Sequence, residues 1–128
     1  MKVVHGLSAF QTPEELTGQP YDGRSDLFRL GISAYFLATA TYPWMDGVGP
    51  DDTNAVYRNL MRRLTEMPLP PSHYAPREID DETDGIILQL LRPDPDARFQ
   101  TVGELRAVIA DVADRRGFLL DSWDGDVW

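Results

Sequence analysis

Residues 25–40 leave the chain little choice of architecture. They read Ser25-Asp26-Leu27-Phe28-Arg29-Leu30-Gly31-Ile32-Ser33-Ala34-Tyr35-Phe36-Leu37-Ala38-Thr39-Ala40. Wound as a helix, the segment carries apolar side chains on nearly every face, with Arg29 the strong exception. A helix that is apolar all round is normally buried in the middle of a domain. At this length it falls short of the ~20 residues that cross a bilayer. Ser25 suits an N-cap, and Asp26 suits a first turn, where the helix dipole favours a carboxylate. The segment predicts the central post of a helical bundle.

Three further helices are predicted around it. Residues 53–66 place Val56, Tyr57, Leu60, Met61 and Leu64 at a period near 3.6, with arginines on the opposite face. Residues 80–91 begin with acids and continue through Ile86, Ile87, Leu90 and Leu91. Residues 101–116 open with Thr101 and Glu104 at capping-box spacing and put Leu105, Val108, Ile109 and Val112 on one face. Gly117 follows a basic last turn as a stop signal. Residues 42–52, rich in Gly and Asp, and residues 67–76, with four Pro, read as ordered loops within one domain. No alternating strand pattern of useful length occurs, so the fold class is mainly α. The tail mixes Phe118, Leu119 and Leu120 with Trp123, Trp128 and three Asp.

Composition narrows the function classes. At 128 residues the chain suffices for one core. Twelve Lys and Arg against 21 Asp and Glu give a net charge of −9, so nucleic acid and anionic membrane surfaces are poor partners. Local basic pairs, Arg62-Arg63 and Arg115-Arg116, read as solvated helix faces. Cysteine is absent, which removes disulfides and thiolate metal sites and fits a reducing, cytoplasmic setting. His5 and His73 stand apart, without a second ligand at metal spacing. Residues 121–126 are too short for a calcium loop and lack its closing Glu. The acids at 80–84 read as a solvated helix start.

Four sequence blocks, in order, resemble the large lobe of the eukaryotic-type protein kinase fold, in its bacterial serine/threonine branch. The activation segment of that family ends in Gly-Thr-x-x-Tyr-x-Ala-Pro-Glu, and this chain has Gly6-Leu7-Ser8-Ala9-Phe10-Gln11-Thr12-Pro13-Glu14 without a gap. Asp26 and Gly31 match the family's Asp and Gly five positions apart in its central helix. Ala40-Thr41-Tyr42-Pro43-Trp44 is similar to the turn that follows that helix. Leu90-Leu91-Arg92-Pro93-Asp94-Pro95-Asp96-Ala97-Arg98 matches the family's leucines and Asp-Pro-x-x-Arg before its last helix. The resemblance covers about residues 6–116, giving a partial kinase-like domain at 1–116 and an acidic, aromatic tail at 117–128.

The resemblance implies a helical large lobe with no N-terminal β lobe, truncated inside the activation segment. It implies that Glu14 pairs with Arg98 and pins the activation segment to the lobe; the alternative is two unrelated surface charges. Removing one member of such a buried pair would cost about 3–5 kcal/mol. Asp26 anchors the catalytic loop in the family; the plainer alternative is a first-turn acid favoured by about 0.3–1 kcal/mol. Phe28 and Trp44 are expected in the core.

Phosphoryl transfer in such enzymes needs a Gly-rich phosphate loop, a paired Lys and Glu, a catalytic-loop Asp and Asn, and a metal-binding Asp-Phe-Gly. The sequence contains none of them. Reading Val4-His5-Gly6 as a decayed Asp-Phe-Gly would put Val4 where a metal ligand is required. Leu7 stands where serine/threonine members carry Thr, and Thr12 replaces the usual Ala. The expectation is therefore no cofactor on this chain, ATP and magnesium belonging to a complete parent kinase. Two functions follow: a piece of a kinase that phosphorylates protein hydroxyls, or a pseudokinase remnant acting through binding. The expected partners are a protein or the missing lobe, with exposed apolar surface as a route to a homodimer.

Overall fold

The computed structural model describes residues 9–49 and 51–117. Among them the order is α1 (Pro13–Thr17), α2 (Gly23–Thr39), α3 (Ala55–Thr65), α4 (Asp81–Leu90) and α5 (Val102–Arg115), with single 3-10 turns at Pro71–His73 and Pro95–Ala97. No strand occurs among the described residues, so the fold is mainly α. None of these helices is long and apolar enough to cross a membrane. The tail residues 118–128 lie outside the described residues.

Local chemistry sets the ends. Thr12 and Glu15 form a reciprocal capping box at α1, with Pro13 at its first position and Gly18 closing it at φ 73°. Asp80 caps α4 by accepting a 2.9 Å bond from the Thr83 amide. At α5 only half of the predicted box forms. The Thr101 hydroxyl accepts from the Glu104 amide at 3.1 Å, while the Glu104 carboxylate takes the Gln100 amide instead. Asp94 caps the Pro95–Ala97 turn through the Asp96 amide at 2.9 Å, and that turn delivers Arg98 to the interior.

The start of α2 corrects the sequence reading. Asp22, three residues before Ser25, is the N-cap, its carboxylate accepting from the Arg24 amide at 2.8 Å. Ser25 sits inside the first turn, fully buried, and its hydroxyl reaches back to the Asp22 amide at 3.3 Å. An ionised cap outbids a hydroxyl for the free amides of the first turn.

Burial of α2 is also less complete than expected. Leu27, Phe28, Gly31, Ile32 and Tyr35 form its inner face. Leu30 and Phe36 are 46% and 39% exposed, and Leu37 is 85% exposed. The described elements cover one side of the post only. That side packs Phe28, Ile32 and Tyr35 with Trp44, Ile87 and Leu91, while Leu27 joins Leu90, Phe99 and Leu105. Phe28 and Trp44 stack at 6.1 Å, and the Tyr35 hydroxyl donates to the Leu69 carbonyl at 2.7 Å. Gly31 lets α4 pack closely on α2. A Cβ there would lie 2.8 Å from Leu90 Cβ and 2.9 Å from Leu91 Cδ2.

Helix α3 is rotated from its predicted orientation, with Val56, Leu60 and Leu64 half-buried beside the inner stripe. The structure buries Ala55, Asn59 and Arg63 and leaves Tyr57 and Met61 exposed at 63% and 37%. Arg63 is therefore interior and not a solvated residue. Backbone carbonyls beneath α3 require donors, and the polar stripe supplies them. Helix α5 buries Leu105 and Ala113, whereas Val108 and Ile109 remain 37% and 44% exposed. Arg115 and Arg116 do lie at the surface, paired with Glu82, Asp80 and Asp111.

Gly31→Ala should destabilise the fold by about 1–3 kcal/mol through overpacking. Gly85→Ala, mid-helix in α4 with nothing near its added Cβ, should stabilise by about 0.5–1 kcal/mol. Urea denaturation of the two variants checks both signs.

Candidate functional site

Glu14 lies in the first turn of α1 and Arg98 follows the Asp94-capped turn, 84 residues away in sequence. Their side chains are 2% and 0% exposed. The guanidinium grips the carboxylate with both terminal nitrogens, Nη1 to Oε2 at 2.7 Å and Nη2 to Oε1 at 2.8 Å. This two-pronged geometry is what a planar fork offers and a lysine does not. The other donors of Arg98 are also used. Nε binds the Arg92 carbonyl at 2.7 Å, Nη1 the Arg24 carbonyl at 3.0 Å and Nη2 the Pro93 carbonyl at 3.2 Å. The Ser25 hydroxyl adds a 2.6 Å bond to Glu14 Oε2, and the Arg98 fork lies over the Phe28 ring at 4.8 Å.

A buried pair is stable only when geometry and hydrogen bonds offset desolvation. Here every N–H of the guanidinium has an acceptor and both carboxylate oxygens have donors. Burial opposes ionisation of Glu14, but the bonds from Arg98 and Ser25 outweigh it and hold the carboxyl below the ordinary 4.5.

The other residues singled out by sequence divide into those brought to this centre and those left outside it. Thr12 and Pro13 are buried beside Glu14 as the cap and first position of α1. Phe10 is half-buried, edge-on to Tyr42 at 6.2 Å. Gly31 sits under α4, away from the pair. Asp26 is on the open side of α2, its side chain 68% exposed; it accepts a hydrogen bond from the Tyr21 hydroxyl and lies 3.8 Å from Arg29. Gly6 and Leu7 lie outside the described residues, as do Val4, His5 and residues 121–126.

Two arginines that sequence reasoning left aside secure the chain just before α1. Arg29 binds the Phe10 carbonyl at 3.2 Å and the Glu15 carboxylate at 2.8 Å. Arg63 binds the Ala9 carbonyl at 3.1 Å and the Gln11 carbonyl at 2.8 Å. The available signal was the i, i+4 spacing of Asn59 and Arg63, which forms a polar stripe on α3.

A metal donor set for the magnesium–ATP of a complete kinase does not occur among the described residues. Among the described residues no three His, Asp or Glu side chains converge to hold a metal ion. Three described carboxylates on the neighbouring elements are paired with arginines: Asp22 and Asp96 with Arg24, Glu15 with Arg29.

No protein-family profile matches the chain. Individual proteins do. It is 32% identical over 104 residues to the serine/threonine-protein kinase PknB of Mycolicibacterium smegmatis, covering 81% of this chain and 15% of that protein. It is 36% identical over 106 residues to a protein named "Probable serine/threonine-protein kinase" of Streptomyces coelicolor, covering 83% and 15%. The serine/threonine-protein kinase Pkn1 of Myxococcus xanthus is 28% identical over 104 residues, covering 81% and 14%. The chain thus spans about one seventh of the length of these curated relatives.

Glu14→Gln should cost about 3–5 kcal/mol near neutral pH, since it strands the Arg98 charge. Because the folded-state Glu14 value is depressed, its contribution is complete above about pH 4.5 and is lost as pH falls through the folded value. The gap between wild type and Glu14→Gln should therefore close below that pH. The gap is the diagnostic quantity in urea titrations at several pH values, because Asp22, Asp80 and Glu82 are also held below their ordinary values in both proteins.

Proposed function

Because the chain is homologous to the helical lobe of bacterial serine/threonine protein kinases, we propose that it supplies the acceptor-docking platform of a protein serine/threonine kinase. The complete enzyme would transfer phosphate from ATP to protein hydroxyls in the cytoplasm. The observation that carries this reading is the buried Glu14–Arg98 clasp at 2.7 and 2.8 Å. It fixes the segment that ends at Glu14 against the base of α5, which is what an acceptor-binding surface needs in order to hold its geometry.

In this reading residues 1–116 are the lobe and 117–128 an appended tail. Phe10, Thr12 and Pro13 belong to the platform with Gly6 and Leu7. Asp26 presents its carboxylate on the open face of α2, where a catalytic loop would be anchored. The phosphate loop, the paired Lys and Glu and the catalytic Asp are not in this sequence, so the chain by itself carries out no phosphoryl transfer. Leu7, in place of a hydroxyl residue, weakens the link between this platform and a catalytic centre.

A second reading rests on a different observation. Leu30 and Leu37 lie on the open side of α2 at 46% and 85% exposure, a surface that favours apolar cover. A binding module of pseudokinase type would use that face for a protein partner or a second copy.

The 128-residue chain should show no thermal shift with ATP and magnesium; a site filled at about 100 times its Kd would add about 2.7 kcal/mol. The in-frame sequence upstream of Met1 should encode a Gly-rich loop and a His-Arg-Asp catalytic loop. A protein that includes that sequence should phosphorylate serine or threonine in a protein acceptor. A stop codon close upstream would favour the binding module, and transfer by the 128-residue chain itself would contradict both readings.

A further inference from the structure

Arg63 is the one buried cation among the described residues whose guanidinium meets no carboxylate. It is fully buried on α3, opposite the exposed Tyr57 and Met61. Its Nη1 donates to the Ala9 and Gln11 carbonyls at 3.1 and 2.8 Å, Nη2 donates to the Asn59 side-chain oxygen, and Nε has no partner among the described residues. Its fork lies 5.2 Å from the centre of the Trp44 ring. No described Asp or Glu comes within ion-pair distance of it. Arg98, equally buried, has the contrasting arrangement of a full carboxylate partner and no spare donor.

A charge this deep would ordinarily be replaced by an apolar side chain or matched by an acid, since desolvation alone disfavours it. Burial does push the Arg63 value down, to about 10, which still leaves it charged at neutral pH. What the charge gains is the carbonyl pair of residues 9 and 11. The carbonyl between them, that of Phe10, is taken from the other side by Arg29 of α2. Three consecutive backbone carbonyls are thus clamped by guanidinium groups from two helices. The same part of α3 holds the loop after α2: Asn59 donates to the Pro43 carbonyl at 3.0 Å, and Arg62 to the Trp44 and Asp46 carbonyls, both at 2.9 Å.

We infer that Arg63 is a positioning residue that makes residues 9–12 move as one body with α3, so that a displacement of α3 is passed to the segment leading into Glu14. This deepens the function proposed above, in which that segment belongs to the acceptor platform, and rests on it only for what the segment meets. The clamp itself is a property of this chain.

Hydrogen exchange by mass spectrometry on Arg63→Met and Arg63→Lys tests it. Methionine fills the space without donors, whereas lysine keeps the charge but offers one compact head in place of a fork. The expected result for Arg63→Met is exchange at least about tenfold faster across residues 9–17, with that of α4 unchanged, because local opening need not follow global stability. Arg63→Lys should give a smaller acceleration in the same residues. Unchanged exchange in residues 9–17 would overturn the inference. So would equal acceleration in residues 9–17 and in α4, which would make Arg63 a general stability residue. Should Arg63→Met fail to fold, Arg63→Lys decides alone by the same comparison. Loss of kinase activity in a longer protein would bear on the proposed function and leave this outcome untouched.

Discussion

Among the described residues one ion pair is buried on both sides, Glu14 with Arg98. Besides this clasp, α1 and the residues just before it are held by the Arg29–Glu15 pair, by Arg63 on the Ala9 and Gln11 carbonyls and by the burial of Thr12 and Pro13, but only the clasp is a fully buried charge pair. It ties α1 to the turn that leads into α5 across 84 residues. The pair is favourable because nothing polar in it is left over: five guanidinium donors meet two carboxylate oxygens and three carbonyls, and Ser25 completes the carboxylate. Phe28, at the heart of the apolar core, supplies the face on which the fork lies. The polar clasp and the hydrophobic core are therefore one construction, each orienting the other.

Much of this was legible in the sequence where a motif carries its own geometry. Asp94-Pro95-Asp96-Ala97-Arg98 encodes a capped turn that throws an arginine inward, and it does so in the structure. Leu90 and Leu91 announce a helix that buries itself against Gly31, where no side chain intervenes. The long helices α2, α4 and α5 follow from periodicity and caps, within three residues at each end. The five-residue α1 escaped, since a single turn has no periodicity to detect.

What periodicity could not show was which side of a helix the protein would choose. On α3 the apolar positions Tyr57 and Met61 looked like the inner face, yet Asn59 and Arg63 occupy it. Hydropathy patterns count the transfer of side chains from water; they do not count unpaired backbone carbonyls that demand donors. The same limit explains α2. Its all-round apolar pattern is compatible with burial on every side, and the described elements supply burial on one. Leu30, Phe36 and Leu37 remain at the surface, on or beside the face that carries Asp26. That open face and the segment leading into Glu14 are the two parts of this fold whose meaning depends on what lies against them.

The central claim is that Glu14 and Arg98 act on stability as a unit. A double-mutant cycle with Glu14→Leu, Arg98→Met and the double variant, read by urea denaturation at neutral pH, measures that directly. The account predicts that each single change costs about 3–5 kcal/mol and that the double variant costs less than the sum of the two. It predicts a coupling of about 2–3 kcal/mol, at the upper end for contacting residues. Additive losses, with a coupling below about 0.5 kcal/mol, would contradict it.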